Sequence, residues 1–197
     1  MRAAPWMILI GPAATGKSTL GEGMASATGR SFVDLDAIGG GYYAEVGWDM
    51  DRLRSRIRAV GRVAAEREWE PARAHAVERA VADHPDAVVA LGAGHSHYTR
   101  PDLFRRVRTA LAPVEHVVLV LPCSDEERSV RILRRRSLAT KRTDWIGADG
   151  HDFLAEWVRD PGTRTLATTV LHTDGDPPAR TLARLLTSCR TGYRSEP

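Results

Sequence analysis

Residues 11–18 read Gly-Pro-Ala-Ala-Thr-Gly-Lys-Ser, the spacing G-x-x-x-x-G-K-[S/T]. Small residues let a backbone curl round an anion with successive N–H groups pointing inward. A lysine at the end of such a loop reaches the outer phosphates of a nucleotide, and the hydroxyl after it ligates Mg²⁺. The short apolar run Trp6–Ile10 leads into the loop, and a helix-forming stretch opens at Gly16 or Lys17. A helix starting there adds the positive end of its dipole to the anion site. Gly11, Ala14, Thr15, Gly16, Lys17, Ser18 and Thr19 are therefore expected to hold nucleotide phosphates.

Two carboxylates follow in Asp34-Leu35-Asp36, at the end of a second short strand, Ser31–Leu35. Ligands of open parallel sheets bind at that edge. Residues one apart on extended chain point to opposite sides, so the two are expected to have different jobs. One can hold a metal through water. The other can take the proton of an attacking hydroxyl or orient it. A helix-capping aspartate is the competing structural reading. Gly92-Ala93-Gly94 closes a third strand at the same edge, where glycines let a ligand approach backbone N–H groups. His95 and His97 follow in a polar loop, which favours solvated rings over acceptor contacts, and the pair lacks further metal ligands. A basic stretch holding Arg131, Arg134, Arg135, Arg136, Lys141 and Arg142 could supply the positive charge that phosphoryl transfer needs, as a segment closing over the site.

Five short apolar strands are predicted to position these groups: Trp6–Ile10, Ser31–Leu35, Ala87–Leu91, His116–Leu121 and Thr168–His172. Between them lie helical stretches. The first runs to about Thr28, and a second covers about 50–83 with a break near Pro71, after a chain break at Gly39-Gly40-Gly41. Others run Pro101–Leu111, from an N-cap at Ser124 to about Arg136, Asp152–Arg159 and Pro177–Cys189. Alternating strands and helices mean a three-layer αβα fold, a five-stranded parallel sheet with helices on both faces.

The chain has 197 residues, enough for one domain with a lid. A hydrophobic fraction of 43% and a formal charge of +3 are ordinary and do not choose between an anionic metabolite and nucleic acid. A nucleic-acid groove would want interleaved aromatics, and Trp145 alone is thin support. No stretch approaches the roughly 18 apolar residues of a membrane span. Arg2 and the apolar run after it could imitate a signal peptide, but the run stops at Gly11 and reads as a strand. Cys123 and Cys189 form no C-x-x-C pair and read as two buried thiols of a cytoplasmic chain.

The order of GPAATGKST, FVDLDAI, VVALGAG, RRRSLATKR and LATTVLHTDGDPPARTLARLL resembles small P-loop kinases of the nucleoside-monophosphate-kinase superfamily, shikimate kinases above all. The resemblance covers most of the chain. It implies ATP and Mg²⁺, with Lys17 and Ser18 on phosphate and metal, Asp34 on the metal side and Asp36 at the acceptor hydroxyl. It matches Gly92 and Gly94 to the outer glycines of a substrate-binding triplet, with Ala93 in the middle. It makes Arg142 the lid arginine at the γ-phosphate and Arg136 the one near the adenine. Arg159 becomes a substrate-pocket arginine, and the turn from Thr173 to Pro177, Asp174 included, an adenine-side loop.

The chain departs from the pattern where shikimate kinases carry a carboxylate-binding arginine in G-E-x-x-F-R. The matching stretch is REWEPARAHAVERAV, which puts Trp69 at the aromatic position and Glu70 at the arginine's. A glutamate there would repel a carboxylate. The preceding segment is also longer and holds GGGYYAEVGW. These features predict a rebuilt acceptor site over about 37–70 and a lid over about 136–150, in a single domain spanning 1–197. The expected acceptor is neutral, polyhydroxylated or amine-bearing, stacked on Trp48 or Trp69 and bonded by Glu70, and not shikimate. If the alignment slips by a few residues, Arg73 does the arginine's work instead. The expected protein is an ATP-dependent kinase for a hydroxyl of a small metabolite, a monomer or homodimer with neither a membrane nor a nucleic-acid partner. A nucleoside or nucleotide kinase, an antibiotic or sugar-nucleotide phosphotransferase, and a nucleotide-binding regulator without acceptor chemistry are the alternatives; the paired aspartates argue against the last.

Overall fold

Met7–Ile10 forms β1, and its four side chains are all buried. Alternation divides them between two layers: Ile8 and Ile10 join one hydrophobic cluster, Met7 and Leu9 the other. A strand buried on both faces belongs at the centre of a parallel sheet. In the computed structural model, which describes residues 4–191, β1 takes that place. Arg2 lies outside the described residues.

The sheet is completed by β2 (Phe32–Asp34), β3 (Val88–Ala90), β4 (His116–Leu121) and β5 (Thr169–His172). The order is β2-β3-β1-β4-β5, with every pairing parallel. The five strands and the αβα layering are those read from the sequence. The chain leaves β1 between neighbours lying in opposite directions of the order, so a crevice opens at its carboxyl end.

Against one face lie α1 (Lys17–Thr28) and, at the end of the described chain, α9 (Pro178–Thr191). Against the other pack α2 (Leu35–Ala44), α3 (Met50–Val60), α4 (Arg62–Asp83) and α5 (Pro101–Leu111). A third cluster joins α6 (Glu126–Lys141) to α7 (Phe153–Arg159) through Leu133, Phe153 and Trp157. The short α8 (Pro161–Leu166), not read from the sequence, opens with Pro161 and is capped by Asp160, which accepts from Gly162 N and Thr163 N at 3.0 Å.

Several boundaries differ from the reading of the sequence. Gly39-Gly40-Gly41 does not break the chain but lies inside α2. A Cβ on Gly39 would meet the Tyr43 hydroxyl at 2.9 Å, so close side-chain approach, not a turn, calls for glycine there. The break in the 50–83 stretch falls at Gly61, whose φ of 83° suits only glycine, and not at Pro71. Pro71 stays within α4, whose buried alanine face packs against α2 and α5 and outweighs the lost hydrogen bond. Asp125, not Ser124, caps α6 by accepting from Arg128 N at 2.8 Å. That helix runs past Arg136 to Lys141, so the first part of the expected lid is helical. The rest is tied down. Trp145 Nε1 donates to Ser137 Oγ at 3.1 Å, Arg134 pairs with Asp152, and Ile146 bridges Asp152. Cys123 and Cys189 are free thiols, each half-buried rather than fully buried.

Candidate active site

The loop between β1 and α1 has the shape its composition demands. Gly11 sits at φ 129°, and a Cβ there would lie 2.6 Å from the Val120 carbonyl oxygen. Lys17 opens α1 with its ammonium nearly buried, donating to the carbonyls of Gly11 (2.8 Å) and Pro12 (2.7 Å). Burial brings its pKa down to about 8 against the opposing pull of Asp36. Ser18 Oγ donates to Asp34 Oδ2 at 2.7 Å. A hydroxyl and a carboxylate side by side are hard oxygen donors, the set that Mg²⁺ takes beside phosphate oxygens and water.

The two aspartates do not alternate across extended chain as expected. β2 ends at Asp34, which caps α2 by accepting from Asp36 N at 2.9 Å. Asp36 therefore sits in the first helical turn. Both still line one cleft of about 600 Å³. Burial raises the Asp36 pKa, with Lys17 opposing and Asp34 adding to the rise.

On the far side of the cleft, Arg62, Glu66, Trp69 and Arg73 form one wall. Their spacing of four, three and four residues puts them on a single face of α4. Arg73 Nη1 donates to the Gly94 carbonyl at 2.5 Å and Nη2 to that of Glu66 at 3.2 Å. Its guanidinium lies 5.5 Å from the Trp69 ring and 5.7 Å from Tyr98. Arg62 is held between Trp145 (5.0 Å) and Phe153 (4.7 Å). Aromatic faces fix such cations without neutralising them. The Nε atom of Arg73 is buried with no hydrogen-bond partner, and that of Arg62, also without a hydrogen bond, lies 3.6 Å from Glu66 Oε1.

Gly92-Ala93-Gly94 serves side chains more than a ligand's approach. A Cβ on Gly94 would sit 2.0 Å from Arg73 Nη1, and one on Gly92 would sit 1.9 Å from Asp36 Oδ1. His95, expected in solvent, is 2% exposed and lines the cleft. His97 is also withdrawn from solvent, 3.2 Å from Glu156 and 3.3 Å from Asp160.

A second cavity, of about 480 Å³, adjoins the loop on the α9 side and includes Thr15, Thr19, Thr173 and Asp176. Arg136 borders both cavities and donates to Thr173 Oγ1 at 3.4 Å, so it stands where a nucleotide would pass from phosphate to base. Asp174 does not face this space; it pairs with Arg128 at 2.5 Å. The neighbouring Asp176 faces it, held by Arg184 at 2.6 Å.

Four other expected site residues lie elsewhere. Glu70 is 1% exposed and points away from the cleft; its carboxylate accepts from Thr99 N (2.9 Å), Thr99 Oγ1 (2.7 Å) and Arg100 N (3.3 Å). Neighbours on a helix are about 100° apart, so Trp69 and Glu70 cannot share a face. Trp48 belongs to the core beneath Arg52. Arg159, aligned to a pocket arginine, is half-exposed and pairs with Glu127. Arg142 caps the end of α6 at φ 55°, exposed and outside the cleft lining, whereas the preceding Lys141 lines it. The Arg62–Arg73 face was legible in the helical period of α4; Lys141 and Asp176 lay inside the basic stretch and the Thr173–Pro177 turn read from the sequence, but which residue of each meets the cavities was set by packing.

A phosphate loop at the central strand of this sheet order, with an aspartate across the cleft, defines a P-loop small-molecule kinase. A family model described as "Shikimate kinase" matches residues 13–190, and the chain belongs to that family, whose members phosphorylate a hydroxyl of a small molecule. A shikimate kinase of Rhodococcus jostii (strain RHA1) is 29% identical, with 93% of this chain and 96% of that protein covered. Among solved structures, shikimate kinase from Acinetobacter baumannii in complex with shikimate matches at a TM-score of 0.66 and 20% identity, covering 99% and 97% of the two chains. The shikimate kinase of Bacteroides thetaiotaomicron follows at 0.54 and 18%, covering 95% and 99%. Among the described residues, no helix is long and apolar enough to cross a membrane.

Proposed function

We propose that this kinase uses ATP to phosphorylate a hydroxyl of a small metabolite that also carries a carboxylate, the class to which shikimate belongs. The observation that carries this reading is Arg73 on the cleft wall, a buried guanidinium that bonds two backbone carbonyls, pairs with no carboxylate among the described residues and keeps an Nε without a hydrogen-bond partner. Carbonyls leave its charge unneutralised, and a carboxylate is the ligand that neutralises an arginine fork. The expectation of a neutral or amine-bearing acceptor rested on Glu70 facing the pocket. With Glu70 turned to Thr99, that ground for excluding shikimate is gone.

In this scheme the loop holds the triphosphate and the base lies beside Thr173. The acceptor's carboxylate settles on Arg73 and Arg62, with its ring or chain against Trp69. The hydroxyl attacks the γ-phosphorus in line and gives its proton to Asp36, while ADP departs. Lys17, Arg136 and Lys141 offset the charge that grows on the transferred and leaving oxygens. Ser18 and Asp34 would hold Mg²⁺, which neutralises phosphate charge when bound.

ATP turnover with shikimate, gluconate, a neutral polyol, an amino-sugar and a nucleoside tests the proposal. A carboxylate-bearing acceptor is expected to give the highest kcat/KM, with Lys17→Ala inactive and Asp36→Asn still binding nucleotide. A preference for the polyol or the nucleoside, or full kcat in Asp36→Asn, overturns it.

A further inference from the structure

Three carboxylates line the cleft: Asp34, Asp36 and Glu66. The transfer scheme uses the first two. Glu66 stands on the acceptor wall, one turn of α4 after Arg62 and one before Trp69. Its side chain is 17% exposed. Among the described residues its carboxylate makes no hydrogen bond, and the cation paired with it is Arg62, whose Nε stays 3.6 Å from Oε1. The same Arg62 is engaged by the Trp145 and Phe153 rings.

The Arg73 guanidinium reaches back along this face of α4. Its Nη2 donates to the Glu66 main-chain carbonyl at 3.2 Å, yet it forms no ion pair with the Glu66 carboxylate. A cation and an anion therefore stand near each other on the cleft wall without neutralising one another. Burial raises the Tyr43 pKa, and Glu66 is among the charges that add to the rise, which sets that carboxylate towards the side where Tyr43 packs on Trp69. The cavity of about 20 Å³ that Glu66 also borders has room for one water at most, so an acceptor reaches it from the cleft.

Charge decides which group the carboxylate takes. Arg62 and Arg73 bring two positive charges to the wall, and Glu66 brings one negative. The acceptor's carboxylate neutralises the excess. An ammonium on the acceptor would restore the excess, whereas a hydroxyl donates to the carboxylate and leaves the balance as it is.

We propose that Glu66 is a specificity residue whose carboxylate accepts from a second hydroxyl of the acceptor, one that is not phosphorylated. The acceptor class is then a carboxylic acid with at least two hydroxyls, one meeting Asp36 and another meeting Glu66. No bond forms or breaks at Glu66. An acid without the second hydroxyl leaves the carboxylate facing a group that cannot donate, and is rejected for that reason. The inference rests on the reading of Arg73 as the anchor of the acceptor's carboxylate.

The experiment compares shikimate with its analogues that each lack one hydroxyl. The analogue without the transferred hydroxyl should be inert. One of the others should lose about 10- to 100-fold in kcat/KM through its KM, the scale of one hydrogen bond to a charged group. Glu66→Ala should bring that analogue level with shikimate and leave the KM for ATP unchanged. Glu66→Gln, which keeps a carbonyl acceptor, should retain part of the discrimination. Arg62→Met should weaken all the acids alike and preserve the ratio between them. An unchanged ratio in Glu66→Ala overturns the proposal, and so does an equal collapse in Arg62→Met, which makes Glu66 a support for Arg62. An analogue carrying an amino group in place of that hydroxyl should bind less well than shikimate; a preference for it, lost in Glu66→Gln, makes the donor an ammonium and overturns the hydroxyl assignment. If the wild-type protein turns over no carboxylate-bearing acceptor, the reading of Arg73 fails and the Glu66 proposal falls with it; if it does and the ratio ignores Glu66, the Glu66 proposal fails alone.

Discussion

Glu70 separates two accounts of the acceptor site. In the structure its carboxylate reaches from α4 to the start of α5, where Arg100 at the N-cap has no side-chain cap of its own. It accepts from two backbone N–H groups and one hydroxyl, at 2.9, 3.3 and 2.7 Å. A negative charge is also favourable at a helix N-terminus. Each hydrogen bond to a charged group contributes about 1.5–3 kcal/mol, and bonds sharing one carboxylate do not add fully. Glu70→Ala is therefore expected to destabilise the fold by about 3–4 kcal/mol. For a chain of this size that is a fall in Tm of about 10 °C. Glu70→Arg, which places an arginine where shikimate kinases have one, should be at least as destabilising and should not lower the KM for a carboxylate acceptor. Thermal and urea unfolding, with nucleotide affinity as the control for an intact loop, measure the effect. If Glu70→Ala unfolds within about 1 °C of wild type while acceptor KM changes tenfold, Glu70 faces the substrate and the assignment to α5 is wrong.

Gly94→Ala would drive a Cβ to within 2.0 Å of Arg73 Nη1, at the free end of a long side chain. Losing the Nη1 bond to the Gly94 carbonyl should lower stability by about 1.5–3 kcal/mol, while the KM for the acceptor rises about 10- to 100-fold and the KM for ATP stays put. His97 should make stability depend on alkaline pH. Burial works against its charge, but Asp160 and Glu156, the latter also bonded to His151 at 2.9 Å, lift its pKa to about 9. The folded pKa is above the unfolded value of about 6.5. The contribution is therefore complete below pH ~6.5 and is lost as pH rises through 9; it amounts to about 2–3 kcal/mol. Tm should fall between pH 7 and 9.5 in the wild type, and His97→Gln should flatten that fall.

The sequence by itself carried the nucleotide half of this protein. A strand, a glycine-rich loop and a helix contiguous in the chain make the phosphate site from local backbone geometry, and Ser18 finds Asp34 because β2 ends at the same edge. The five strands were legible because each is a short apolar run, and those at the centre of the sheet, β3, β1 and β4, are buried on both faces. The acceptor half was not, because its wall is a choice of helix face. Trp69 and Glu70 are adjacent in sequence and some 100° apart in space. Which of them meets the cleft depends on where α2 and α5 pack against α4. Likewise, only the packed fold brings His95 and Tyr43, 52 residues apart, within 2.7 Å of each other. Groups joined by local backbone geometry can be read from residue order; those joined by side chains from separate elements are set by how the helices settle on the sheet.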